Sequence, residues 1–217
     1  MLSSAKERII KKRVSLFSWV PFVKLAVLSG SCAMGSAGEN SDIDIIIGTE
    51  KGRTYLCRAF TLIFLDFLRV RNKSDNKENS PCQSAKADKL CLSHFLSVSS
   101  LKMSEPENLY ESELYTKIVP VYGSPAMCAS FIKDNIGIIG KILEYRSSCL
   151  YVGSEKKWPA RIIEKTLSGK LGNWLEKKAR SIQSKKICNY ASYLAADGRK
   201  MRVITSEDRV ETCYKIN

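Results

Sequence analysis

Two aspartates and an upstream glycine-serine pair are the residues whose types and spacing suit chemistry. Ten residues separate Gly30-Ser31 from Asp42-Ile43-Asp44, and Ile45, Ile46 and Ile47 follow at once. Side chains alternate between faces along an extended strand, so Asp42 and Asp44 point one way while Ile43 and Ile45 point into a core. Adjacent carboxylates repel unless a cation or hydrogen-bond donors compensate. Oxygen ligands two residues apart suit Mg2+, which takes one or two carboxylates and completes its shell with phosphate oxygens and water. A glycine lets backbone approach a phosphate closely. A serine hydroxyl with neighbouring N–H groups holds an anion where a turn enters a helix. The set points to phosphoryl or nucleotidyl transfer.

Such a site needs two strands and a tight turn, and the flanking sequence offers them. Val23, Leu25 and Val27 alternate with Lys24, Ala26 and Leu28, a pattern that predicts a strand delivering the chain to Gly30. Ser31 to Met34 then begins a short helix, and Gly35, Gly38 and Asn40 mark a loop before a second strand over 42–47. Residues 4–18 predict a basic amphipathic helix ended by Pro21. From 54 to 70, apolar residues run almost all round a helix, which places it against the sheet. The polar stretch 71–88 reads as a loop, and LCLSHFL (90–96) as a third strand. A helix over 107–118, an extended piece at 118–123 and helical patterns over 124–143 and 159–192 follow.

The order glycine-serine, ten residues, Asp-x-Asp and an apolar strand resembles the signature of the DNA polymerase beta-like nucleotidyltransferase superfamily, over about residues 23–48. LCLSHFL and IVPVYG also look similar to elements of small prokaryotic nucleotidyltransferase-like proteins. The resemblance implies an α/β fold, a short mixed sheet flanked by helices with a helical C-terminal part. It implies that Asp42 and Asp44 hold Mg2+, and that Gly30 and Ser31 bind the phosphates of a nucleoside triphosphate. A nucleoside monophosphate would pass to an acceptor hydroxyl, with release of pyrophosphate. The superfamily usually adds a third carboxylate on a later strand, but LCLSHFL contains no acid. Asp88, just before it, is the nearest candidate, and His94 is an alternative base, its ordinary pKa lying near neutrality. The gap leaves two readings: a metal-dependent enzyme, or an inactive module that binds nucleotide or nucleic acid.

The chain has 217 residues and a net charge of +13, which favours polyanionic partners. Ten Lys/Arg against three Glu lie between Tyr151 and Lys186, so a basic C-terminal helix could track a nucleic-acid backbone. Trp158 and Trp174 could stack on bases, although the helical spacing of Trp174 also fits a core position. The expected division is a nucleotidyltransferase-like domain over 1–123 and a helical, basic region over 124–217. The eight cysteines form no C-x-x-C pair, which excludes the usual zinc spacings and fits reduced thiols in a cytoplasmic protein. Lys6 to Leu28 has the composition of an export leader, but Pro21 and Lys24 interrupt its apolar part and cleavage near Cys32 would remove Gly30 and Ser31. Tyr55 to Val70 carries Arg58, Asp66 and Arg69 and falls short of a membrane span.

Overall fold

The computed structural model describes residues 2–38, 40–72, 88–107, 109–138, 141–142, 150–196 and 200–215. Helix α1 (Ser4–Ser15) starts at Ser3, whose hydroxyl accepts from the Lys6 N–H at 3.2 Å. Its Ile10 and Val14, with Phe17 of the 3-10 turn that follows, are fully buried. Strand β1 (Val23–Ser29) leads into α2 (Gly30–Met34), and β2 (Ile43–Thr49) returns antiparallel to β1. Both strands are apolar on each face because each face is covered. Ala26, Leu28, Ile43, Ile45 and Ile47 join Ile10, Val14, Phe17 and Tyr55 in one core. Leu25, Val27 and Ile46 join Leu114, Tyr115 and Phe131 in the other.

Helix α3 (Thr54–Phe67) buries Tyr55, Leu56, Cys57, Thr61 and Leu65, but leaves Ile63 and Phe67 69% and 83% exposed. One side of it packs, rather than nearly the whole circumference as its composition predicts. Strand β3 (Leu90–Ser97) lies parallel to β2. Helix α4 (Leu109–Tyr115), strand β4 (Lys117–Gly123), helix α5 (Pro125–Asn135) and the short β5 (Lys141–Ile142) follow. The helix expected to run to Leu143 gives up its regular form after Asn135. There the buried Asn135 side chain donates to the carbonyls of Phe131 and Leu101 and accepts from the Met103 N–H. Most of the loop expected at 71–88 lies outside the described residues.

The C-terminal part is helical through α6 (Trp158–Thr166) and α7 (Lys170–Ala196), and ends in a hairpin of β6 (Lys200–Thr205) and β7 (Arg209–Lys215). The hairpin pairs antiparallel with β3, giving a seven-stranded mixed sheet in the order β5-β4-β1-β2-β3-β7-β6. The single helix expected over 159–192 is divided at Leu167–Gly169. The buried Arg53 holds that break, its guanidinium donating to the carbonyls of Leu167 and Ser168, each at 3.0 Å. Gly172 completes it, because a Cβ there would stand 1.8 Å from the Leu167 carbonyl oxygen. No helix among the described residues is long and apolar enough to cross a membrane.

Glu176 ties α7 to the start of α3. Its carboxylate accepts the N–H groups of Tyr55 at 2.7 Å and Leu56 at 2.8 Å, two of the donors a helix N-terminus leaves unpaired. Glu176→Ala strands both donors, so urea denaturation should show a loss of about 1–3 kcal/mol. Leu171 and Trp174 of the same helix are more than half exposed, so Trp174 is a surface residue and not part of the core. The inward positions of α7 are Gly172, Leu175, Ala179, Ile187 and Leu194.

Candidate active site

Gly30 makes the turn from β1 into α2 with φ +63°, a left-handed conformation that glycine adopts freely. It also makes room: a Cβ built there would lie 2.6 Å from Oδ2 of Asp44. Ser31 stands half-buried in the first turn of α2, its carbonyl accepting from the Ser36 N–H at 3.1 Å. The Cys32 thiol donates to the Asp42 carbonyl at 3.3 Å, and burial pushes that thiol up to about 11. These bonds fix the α2–β2 connection from both ends.

Asp42 immediately precedes β2, and the Ile43 N–H that follows it donates to the Lys89 carbonyl at 2.8 Å. Asp44 lies within the strand, between Ser29 of β1 and Cys91 of β3 in the sheet register. The alternation expected of Asp42, Ile43, Asp44 and Ile45 holds, with both isoleucines fully buried and both aspartates half-buried. A carboxylate oxygen from each aspartate and the Sγ of Cys91 all lie within 4.8 Å of one another. Burial, then the neighbouring charge of Asp42, pushes the Asp44 carboxyl up to about 7, against a hydrogen bond from Cys91. Asn72 donates from Nδ2 to Oδ2 of Asp42 at 3.3 Å.

Asp88 directs its charge elsewhere. Its carboxylate accepts from Lys6 Nζ at 2.8 Å, and Lys6 also donates to the Ser41 carbonyl at 2.6 Å, while Arg13 reaches the Asp88 carbonyl at 3.3 Å. Helix α1 thereby pins the two backbone segments that enter β2 and β3. His94 is fully buried two pairs along the sheet from Asp44 and Cys91, opposite Ile46 and 2.5 Å from the Tyr115 hydroxyl. Burial holds its pKa down to about 3, so the ring is neutral and sealed from solvent, which removes it as a base for a bound substrate.

Sequence reasoning named the two aspartates, and the structure places beside them Cys91 and Asn72, which it did not name. Cys91 is the second residue of the third strand, and only the parallel register sets it beside Asp44. Asn72 follows α3, where Asn72 N–H bonds the Leu90 carbonyl and carries the side chain to Asp42.

Two carboxylates and a thiol facing one point form a donor set compatible with a divalent cation. The lack of a side chain at Gly30 leaves the room that Asp44 Oδ2 occupies within that set. Residues 6–90 match the family model of the nucleotidyltransferase domain. No curated protein matches the chain. The matched segment runs from α1 to the first residue of β3 and contains Gly30, Ser31, Asp42 and Asp44, so this part of the chain is similar to a nucleotidyltransferase domain, consistent with the DNA polymerase beta-like type.

Proposed function

We propose that the protein is a metal-dependent nucleotidyltransferase that moves a nucleoside monophosphate from a nucleoside triphosphate to an acceptor hydroxyl, releasing pyrophosphate. The observation that carries this reading is the convergence of Asp42 and Asp44 within 4.8 Å, in a segment matching the nucleotidyltransferase family. The two carboxylates would hold a divalent cation, which when bound screens the triphosphate and stabilises charge on the attacking and leaving oxygens. Gly30 and Ser31 would receive the terminal phosphates, the glycine through close backbone approach and the serine through its half-buried hydroxyl. Asp88 acts as a positioning residue in this reading. Its pairing with Lys6, which also holds the Ser41 carbonyl, orients the turn that presents Asp42. The chemistry would reside in residues 1–123, buttressed by 124–217, in a cytoplasm that keeps the free thiols reduced.

One observation favours a second reading, a catalytically silent module that binds nucleotide or nucleic acid: the position beside Asp44 on β3 is Cys91, not an acid. Nucleoside triphosphate labelled at the alpha or at the gamma phosphorus separates the two. Incubated with Mg2+ and cell lysate, the enzyme leaves alpha label on an acceptor and gamma label in pyrophosphate. Retention of both labels in intact triphosphate supports the silent module.

Nucleic acid is the partner proposed for α7. Lys177, Lys178, Lys185 and Lys186 are exposed, and Lys177 and Arg180 line a surface groove with Ser181, Ser184 and Thr205. Changing Lys177, Lys178 and Lys185 together to Gln should weaken RNA or DNA binding and flatten the slope of log affinity against log salt by about two to three. Filter binding across a salt series reads both quantities, and an unaltered slope would assign the lysines to a solvated face.

A further inference from the structure

The third donor of the Asp42–Asp44 site is a thiol, which changes the cation it suits. Strands β2 and β3 run parallel with Asp44 opposite Cys91, so the two side chains share a face of the sheet. The register then shifts between Ile45 and Ile46, confining this alignment to the end of the strands where Asp42 enters. Cys91 is half-buried and free of any disulfide, and it already hydrogen-bonds the Asp44 carboxylate. One oxygen of each carboxylate and Sγ lie within 4.8 Å of one another. That is close to the span that ligands about 2.0–2.3 Å from a shared ion can reach across it.

We infer that Asp42, Asp44 and Cys91 together hold a thiophilic divalent cation, of which Zn2+ is the representative, in preference to Mg2+. The inference rests on the proposed reading of Asp42 and Asp44 as metal ligands and adds Cys91 to them. Mg2+ is hard, demands near-octahedral oxygen ligation and gains little from sulfur, so a thiol in place of a third carboxylate deprives it of one charged ligand. Zn2+ accepts mixed carboxylate and thiolate sets, and the same replacement supplies it with its strongest class of protein donor. On binding, Cys91 gives its S–H proton to solvent and the thiolate takes the coordination position, with no change of oxidation state. The fully buried Cys32 and Cys57 are poor competitors, because burial pushes their thiols up to about 11 and about 12.

The test uses the full-length protein with Co2+ as a spectroscopic substitute and Zn2+ measured by chelator competition. Wild type should show a sulfur-to-cobalt charge-transfer band in the near ultraviolet, and zinc absorption spectroscopy should show a Zn–S distance of about 2.3 Å. Cys91→Ser, nearly equal in volume, should lose the band. Its ratio of Zn2+ to Mg2+ affinity should fall at least about a hundredfold, the upper end of what is lost when even outer-shell partners of a metal are removed. Cys91→Asp should also lose the band while Mg2+ affinity rises above that of wild type. A band and a Zn2+ affinity that survive in Cys91→Ser would place the ion on another thiol and overturn the inference. The underlying reading fails separately, if Asp44→Asn leaves Mg2+-dependent nucleotide binding intact.

Discussion

Asp44→Asn should abolish measurable nucleotidyl transfer and, in metal-free buffer, make the protein more stable. In the proposed reading the first effect follows from losing a charged metal ligand: several kcal/mol of transition-state stabilisation would disappear, at roughly tenfold in rate for each 1.4 kcal/mol. The second follows from the proton affinity of the carboxyl, pushed up to about 7 from an ordinary 3.8. A folded-state pKa above the unfolded one means that the folded protein binds the proton more tightly. The stability this contributes is complete below about pH 4 and is lost as pH rises to about 7. Wild type above pH 7 therefore carries a burden on the order of 4 kcal/mol at most, which an uncharged asparagine of the same shape does not. Thermal melts in chelator should show the variant gaining several degrees at pH 8 and almost nothing at pH 4. Added divalent cation should raise the melting temperature of wild type alone. Equal melting temperatures at pH 8 would mean that the Asp44 charge is already compensated within the fold.

Gly30→Ala should damage the site more than its single methyl group suggests. The left-handed backbone at Gly30 costs a residue with a Cβ about 1–3 kcal/mol, and that Cβ would collide with Asp44 Oδ2 at 2.6 Å. The carboxylate is the softer partner in the collision, so it swings away from Asp42 and Cys91. Denaturation should show the stability loss, and calorimetry should show metal-dependent nucleotide affinity falling at least about tenfold. Ser31→Ala keeps the turn, so it should lose only the roughly 1–3 kcal/mol of a hydrogen bond to a charged phosphate. If Gly30→Ala behaves like Ser31→Ala, the turn tolerates a side chain and the contact with Asp44 is not restrictive.

The parts of the fold that depend on local pattern were legible. The alternation at 23–28, the Gly30 turn and the apolar run after Asp44 led to β1, α2 and β2, and LCLSHFL and IVPVYG became β3 and β4. Features that depend on distant partners were not. The break between α6 and α7 is held by Arg53, more than a hundred residues earlier. Helix α7 turns small residues such as Gly172 and Ala179 inward and leaves Leu171 and Trp174 outside, which inverts the choice that hydrophobicity alone suggests. The β6–β7 hairpin had a readable signal in Val203, Thr205, Val210 and Thr212 around Ser206-Glu207-Asp208, but its pairing with β3 is a tertiary fact. At the site, Cys91 gave no signal as a third carboxylate because a thiol is not one, and Asp88, named as that candidate, pairs with Lys6 of α1.

The most direct test of the metal-assisted nucleotide site is calorimetric titration of wild type, Asp42→Asn and Asp44→Asn with a non-hydrolysable nucleoside triphosphate, each with Mg2+ and with chelator. The expected result is binding by wild type that depends on the metal, and loss of that dependence in both variants while both remain folded. Equal affinity with and without metal in all three proteins would contradict the account, because Asp42 and Asp44 would then not form a metal site.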